Sequence, residues 1–362
     1  MSTSGAQGIL GVAAEVPEDM RSVQLQSAMR RRVTAVLGQA TVRALHRPDA
    51  ARTLATLAHL WLAIAATFGL GILATTLPWP AAVLALGVLA AFMATRINAL
   101  NVLVHEGSHL TLARNRRVNS AFTNFCAGYW ILFDEDSYRM LHLRHHRLLN
   151  EAGDPDLPLY TVSRDRRRLW LDLLKDLCWI SLQKRAAVYR EQGVFSGGGK
   201  AGAASSLRHA AGKAVANLAL LAVLGALGGW PAGPVLYAIL WVFPLFSLYP
   251  MIIRLRIIAE HFAPEVFDAG APPVFVARTS LCGPLEHYLF GAQMDYHFEH
   301  HLFPGVPYYQ LRRMHAELES RGFFGEAPEI GAHVLSGGYF HFWRRLLASD
   351  YFADAEQSVQ PV

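Results

Sequence analysis

Histidine is the residue type in this chain best placed to do chemistry. Eight of the 16 histidines fall in three short clusters. These are H-E-G-S-H at His105 and His109, H-L-R-H-H at His142, His145 and His146, and H-F-E-H-H at His297, His300 and His301. A ninth, His261, follows Glu260 between the second and third clusters. Imidazole titrates near neutral pH, is costly to bury without a partner, and is the commonest side-chain metal ligand. Nine of them at helical spacing, with little else in the chain to ligate a metal, point to a metal centre.

The spacing has a geometric reading. Residues four apart share one face of an α-helix, so His105 and His109 can grip a metal from a single helix. His145 and His146 diverge by about 100° of helical rotation, so together they can serve two neighbouring metals. The same holds for His300 and His301 relative to His297. Splayed pairs of this kind suggest a dinuclear site, as in helical di-iron carboxylate bundles. Imidazole suits zinc, copper, iron and nickel, whereas magnesium and calcium want oxygen donors. A structural zinc takes four ligands and usually recruits cysteine. Cys126, Cys178 and Cys282 are far apart, form no C-x-x-C pair, and suit a reducing compartment. Nine histidines over-supply one zinc and match two irons; copper fits on softness alone.

The elements that hold these histidines are set by apolar blocks in a chain that is 52% hydrophobic. No Asp, Glu, Lys or Arg lies between Arg52 and Arg96, or between Lys213 and Arg254. Each block has room for two spans of roughly 20 residues. The breaks fall at Leu77-Pro78-Trp79-Pro80 and at Gly229-Trp230-Pro231, with Trp79 and Trp230 as interfacial anchors. The spans are expected at about 55–76, 81–104, 214–229 and 234–253, forming two hairpins. The turns carry none of the 33 basic residues, so both chain ends and the middle segment are assigned to the cytoplasm. The expected fold is an all-α integral membrane protein with a cytoplasmic helical cap that holds the histidine boxes. Residues 1–52 form the amino-terminal segment, 53–319 the catalytic domain and 320–362 the carboxy-terminal segment. Buried hairpins in a soluble all-α core are a poor alternative for two such long charge-free blocks.

Smaller features complete this outline. Glu15, Glu18, Asp19 and the Arg30-Arg31-Arg32 run argue against a cleaved signal peptide. Ala121–Phe133 is apolar but too short to cross, hence re-entrant or interfacial. Leu169, Leu173, Leu177 and Ile180 line one face of an expected amphipathic surface helix, with Asp172, Lys175 and Asp176 elsewhere. Segment 193–206, with Gly197-Gly198-Gly199, reads as a flexible linker and lacks the pattern of a phosphate loop. Residues 1–20 and 352–362 read as disordered tails. His46, His59, His209, His287, His315, His333 and His341 read as structural, and His287 is the one worth testing. His315 belongs to a packing stripe with Leu311, Met314 and Leu318.

The three boxes in order, the last running into Leu302-Phe303-Pro304, resemble the membrane fatty acid desaturase/hydroxylase family, in particular acyl-lipid desaturases. The likeness extends to Leu255–His261 and to Gly153-Asp154-Pro155-Asp156, and covers roughly His105 to Leu318. It implies a di-iron centre of two Fe²⁺ ions on the cytoplasmic face, held by the nine histidines, with O₂ as co-substrate. Glu106, Glu260, Asp295 and Glu299 are candidates to orient the outward imidazole nitrogens. The implied reaction places a double bond in a fatty acyl chain carried on lipid, CoA or acyl carrier protein. Hydroxylation, ketolation, acetylenic-bond formation and decarboxylation to terminal alkenes use the same scaffold. No H-P-G-G segment of a fused cytochrome b5 domain is present, so electrons are expected from a separate ferredoxin- or cytochrome b5-like donor. The first box has three intervening residues, as in acyl-lipid desaturases, and His297 stands where front-end enzymes tend to have glutamine. The net charge of +5 fits docking of an acidic donor and, equally, loops facing anionic lipid; no nucleic-acid partner is expected. A membrane zinc hydrolase leaves histidines in surplus, and a metal carrier would place ligands along the spans, which contain only His59. The Ala- and Arg-rich composition points to a bacterial inner membrane.

Overall fold

The computed structural model describes residues 21–151, 153–181, 199–262, 276–291, 294–327 and 334–352. They divide into two compact units, one formed by Pro48–Met140 with Leu171–Ile253, the other by the remaining segments.

Four helices are long and apolar enough to cross a membrane: Ala50–Ala74, Trp79–Ser108, Ala204–Gly228 and Ala232–His261. The first unit is built around them. Asp49 starts the first span by accepting the Ala51 N–H at 2.9 Å and the Arg52 N–H at 3.3 Å, which caps donors left over at a helix start. Pro80 sits in the first turn of the second span, where a missing N–H does no harm. Between the third and fourth spans, Gly229 holds φ +70°, a backbone region that favours glycine. Spans meet at near-backbone distance where small residues allow it. A Cβ on Gly233 would lie 2.3 Å from the Leu224 carbonyl, and one on Gly71 would lie 2.5 Å from Leu240 Cδ1. Phe68 and Trp241 pack at 6.2 Å between ring centroids. The fourth span widens into π-helical turns at Ala238–Val242 and Pro244–Leu248, where Pro244 has no N–H to continue the regular ladder. Large apolar side chains stay exposed along the spans, among them Leu62, Leu84 and Leu218, and Trp79 and Trp230 are 78% and 87% exposed. Such surface calls for lipid rather than water as its solvent.

Three expectations need correction here. The third span continues a helix that begins at Gly199, so 199–206 is helical rather than linker; 193–198 lie outside the described residues. The surface helix runs Arg166–Leu177 and buries Leu169, Leu173 and Asp176. Trp170, Leu171, Leu174 and, beyond its end, Ile180 are exposed. Its apolar outer face is thus rotated from the expected stripe, because Asp176 rather than Leu177 completes the buried i, i+4, i+7 row. Phe352 is buried in a packed cluster, so it is not part of a tail; 1–20, 353–362 and His333 lie outside the described residues.

In the second unit, helix Arg21–Leu37 packs on the short helix His297–Leu302 and on Tyr308–Ser320. It is pinned by Gln26 Nε2 donating to the His146 carbonyl at 2.7 Å and Arg30 Nε donating to the Leu302 carbonyl at 2.7 Å. The core gathers Tyr160, Val162, Leu169, Ile258, Phe262, Leu346 and Phe352. Thr279–Leu281 and Val334–Ser336 pair in parallel and Thr279 bridges Tyr296, small departures from an otherwise helical fold.

Candidate metal centre

The second box ends the helix Glu135–Arg147, which opens with Glu135-Asp136 and closes with Arg144 to Arg147. Acid at the start and base at the end both suit the helix dipole. The third box forms all of the helix His297–Leu302 except Leu302, and His261 closes the fourth span. His261, His300 and His301 are at most 1% exposed, and His145 is 2% exposed.

These imidazoles converge in two groups. His146 Nε2 lies 3.0 Å from His142 Nε2 and 3.1 Å from His300 Nε2. His297 Nε2 lies 3.0 Å from His261 Nε2 and 3.1 Å from His301 Nε2. His145, His261 and His301 offer ligand atoms within 4.8 Å of one another. Adjacent residues therefore part company, His145 from His146 and His300 from His301, as one residue of helical rotation requires. One neutral imidazole nitrogen is either donor or acceptor, so it cannot make two good hydrogen bonds to two like nitrogens. Metal–imidazole bonds of about 2.1 Å at right angles would separate two ligand nitrogens by about 3.0 Å. The groups fit metal ions, and imidazole donors suit iron, zinc, copper or nickel.

His105 and His109 belong to the other unit, at the end of the second span. His109 follows the last helical residue, Ser108, and the ring centroids of His105 and His109 are 5.1 Å apart. Leu110, at φ +62°, then turns the chain away. Glu106 lies beside them: Oε1 is 3.3 Å from His105 Nδ1, and Oε2 accepts the Thr111 hydroxyl at 2.7 Å.

The outward nitrogens show what was hidden in the sequence. His145 Nδ1 meets Asp154 Oδ1 at 2.9 Å, and Asp154 also accepts the Tyr160 hydroxyl and the Asp156 N–H. Burial pulls the His145 pKa down, but the Asp154 carboxylate outweighs it and raises it to about 9. A carboxylate at this position fixes the tautomer and makes the ring a better donor. His261 Nδ1 donates to the Val276 carbonyl at 2.9 Å. Asp295 and Glu299 turn to other histidines. His287 Nδ1 donates to Asp295 at 2.8 Å, and that bond raises the His287 pKa against burial. His315 Nδ1 donates to Glu299 at 2.6 Å, and burial of His315 is outweighed by that carboxylate, so its pKa rises. His315 does bury its stripe with Leu311, Met314 and Leu318, yet it also supports the third box through Glu299. Glu260 Oε1 accepts the Tyr339 hydroxyl at 3.0 Å, while Oε2 lies 3.8 Å from His297 Nε2.

The fatty acid desaturase profile matches residues 77–329. Among curated relatives, the zeaxanthin 4-ketolase of Chlamydomonas reinhardtii is 26% identical over 215 residues, 59% of this chain and 40% of the ketolase. The dihydrorhizobitoxine desaturase of Bradyrhizobium elkanii is 24% identical over 250 residues, 66% of this chain and 69% of that protein. The sphingolipid delta(4)-desaturase/C4-monooxygenase of Homo sapiens is 27% identical over 265 residues, 71% of this chain and 69% of that protein. The chain thus spans less than half of the ketolase and about two thirds of the other two.

Proposed function

Since this chain belongs to the fatty acid desaturase family and is an oxidoreductase of the membrane desaturase type, we propose that it is an O₂-dependent di-iron desaturase of fatty acyl chains. The observation that carries the proposal is the division of boxes two and three between two converging histidine groups. His142, His146 and His300 would hold one iron, and His145, His261, His297 and His301 the other. His105 and His109 are assigned to the same centre on the family resemblance of the first box.

When loaded, such a centre supplies, with O₂, an oxidant able to break an unactivated C–H bond. The chain's own residues do the rest. Asp154 and the Val276 carbonyl hold the outward nitrogens of His145 and His261, which leaves their Nε2 atoms facing inward. Burial of every one of these histidines except the half-buried His109 keeps bulk water from the reacting atoms. The balance is one –CH₂–CH₂– unit, O₂, two electrons and two protons giving –CH=CH– and two waters. The electrons come from a separate donor protein, and the acyl chain is carried on lipid, CoA or acyl carrier protein. The boxes face the cytoplasm by the distribution of basic residues, in an inner membrane if the source is bacterial.

The relatives' names include a ketolase and a C4-monooxygenase, which favours hydroxylation as the second reading. One comparison separates the two. Hydrolysed lipids and thioesters from cells expressing this chain or its His301→Ala variant are analysed by mass spectrometry. A double bond made only by the intact chain supports desaturation and locates it; a hydroxyl moves the reaction to oxygen insertion. A product made equally by the variant sinks the di-iron assignment.

A further inference from the structure

Carboxylates beside metal-binding histidines ordinarily hold the outward ring nitrogen, as Asp154 holds Nδ1 of His145. Glu260 is placed differently. Its Oε2 lies 3.8 Å from Nε2 of His297, the same nitrogen that faces His261 Nε2 at 3.0 Å and His301 Nε2 at 3.1 Å. That is the inward side of the ring. A separation of 3.8 Å is too long for a hydrogen bond, so Glu260 does not orient His297 that way. Glu260, His261 and His297 together offer three ligand atoms within 4.8 Å of one another.

The other oxygen is anchored. Glu260 Oε1 accepts the Tyr339 hydroxyl at 3.0 Å and lies 3.1 Å from Arg256 Nε, one helical turn earlier. Tyr339 is itself fixed, since its helix Gly338–Ala348 docks along the end of the fourth span. Trp343 Nε1 donates to the Leu255 carbonyl at 3.1 Å, and the Phe340 N–H donates to Glu286 at 2.8 Å. Glu260 is 1% exposed, and a carboxylate buried that deeply calls for positive charge close by. Arg256 supplies charge on one side, and a metal would supply it on the other.

We propose that Glu260 is a metal ligand, donating Oε2 to the iron held by His145, His261, His297 and His301, with Tyr339 as its positioning residue. Tyr339 lies beyond the residues matched by the family profile, which end at 329. The two sites would then differ in ligand charge, one offering imidazole alone and the other imidazole with a carboxylate. Oxygen ligation favours the higher oxidation state of that iron, because a hard anion suits a harder cation. The assignment rests on the di-iron reading.

The test uses the full chain in lipid nanodiscs, stripped of metal and reloaded with ferrous iron-57. Iron stoichiometry and Mössbauer spectra are compared for the native chain, Glu260→Gln and Tyr339→Phe. The native chain is expected to bind two irons with two distinct quadrupole doublets. Glu260→Gln should alter one doublet and weaken that iron ~10-fold or more, leaving the other unchanged. Tyr339→Phe, which keeps the ring and the carboxylate, should shift the same doublet by less, and it serves if Glu260→Gln does not fold. Unchanged doublets in these variants overturn the ligand assignment, as does equal loss of both irons from folded Glu260→Gln protein. A native chain that binds fewer than two irons overturns the di-iron reading itself.

Discussion

At the scale of single residues, each imidazole depends on what holds it. Replacing Asp154 with asparagine leaves His145 Nδ1 with a weaker, uncharged partner. Iron affinity should fall about 10–100-fold, as for other carboxylates behind metal-bound histidines, and chelator competition measures it. Replacing His315 with leucine should act on folding first. It removes one of the two hydrogen bonds to the fully buried Glu299, leaving the Thr279 hydroxyl. A loss of about 1–3 kcal/mol is expected, read as a lowered unfolding temperature of the metal-free protein. An unchanged midpoint would mean that Glu299 finds another donor. These two residues also mark how far the sequence is legible. The boxes stand out because helical periodicity is local, and three or four residues suffice to define a face. Asp154 reaches His145 through a turn nine residues on, and no periodicity encodes that return. Glu299 stands inside the third box and Asp295 two residues before it, yet Glu299 is bonded to His315 and Asp295 to His287, partners that no local spacing announces.

At the scale of elements, helix ends and helix contacts are where composition misleads. The charge-free blocks announce two hairpins, since hydrocarbon tolerates no lone charge. Glycine and serine between 197 and 206 suggest a loop, whereas the described part from Gly199 is helix continuous with the third span. Alanine, the best helix former, outweighs the few glycines there. Which glycines matter is likewise invisible in composition. Gly225 and Gly233 flank the same turn between the third and fourth spans. A Cβ at Gly225 meets nothing within 4 Å, but one at Gly233 would meet Leu224 O at 2.3 Å and Gly225 Cα at 2.6 Å. Gly225→Ala should therefore leave stability unchanged or raise it by up to about 1 kcal/mol through helix propensity. Gly233→Ala should cost about 1–3 kcal/mol, because backbone must give way. Thermal unfolding of both variants in one detergent gives the comparison, and equal midpoints would contradict the close approach of the two spans.

At the scale of the molecule, charge sets the expected side of the membrane for the proposed chemistry. The 33 basic residues lie outside the two hairpin turns, whose tips carry the exposed Trp79 and Trp230. Translocating a turn without lysine or arginine is easier than translocating the Arg-rich segments on either side, so the turns should cross and the rest should stay. On that expectation the ends of the second and fourth spans, with His105, His109 and His261, would share a side of the membrane with the second and third boxes. The proposed assignment of all nine histidines to one centre requires this, since a histidine on the far face would be ~30 Å of hydrocarbon away. Single cysteines test it in a chain whose Cys126, Cys178 and Cys282 are changed to serine. Trp230→Cys should react with a membrane-impermeant maleimide only from outside the cell, and Ser320→Cys only after the membrane is opened. Labelling of both from the same face would break the two-hairpin topology. Reversal of the two would keep the hairpins and move the whole centre to the outer face, where no cytoplasmic electron donor could reach it.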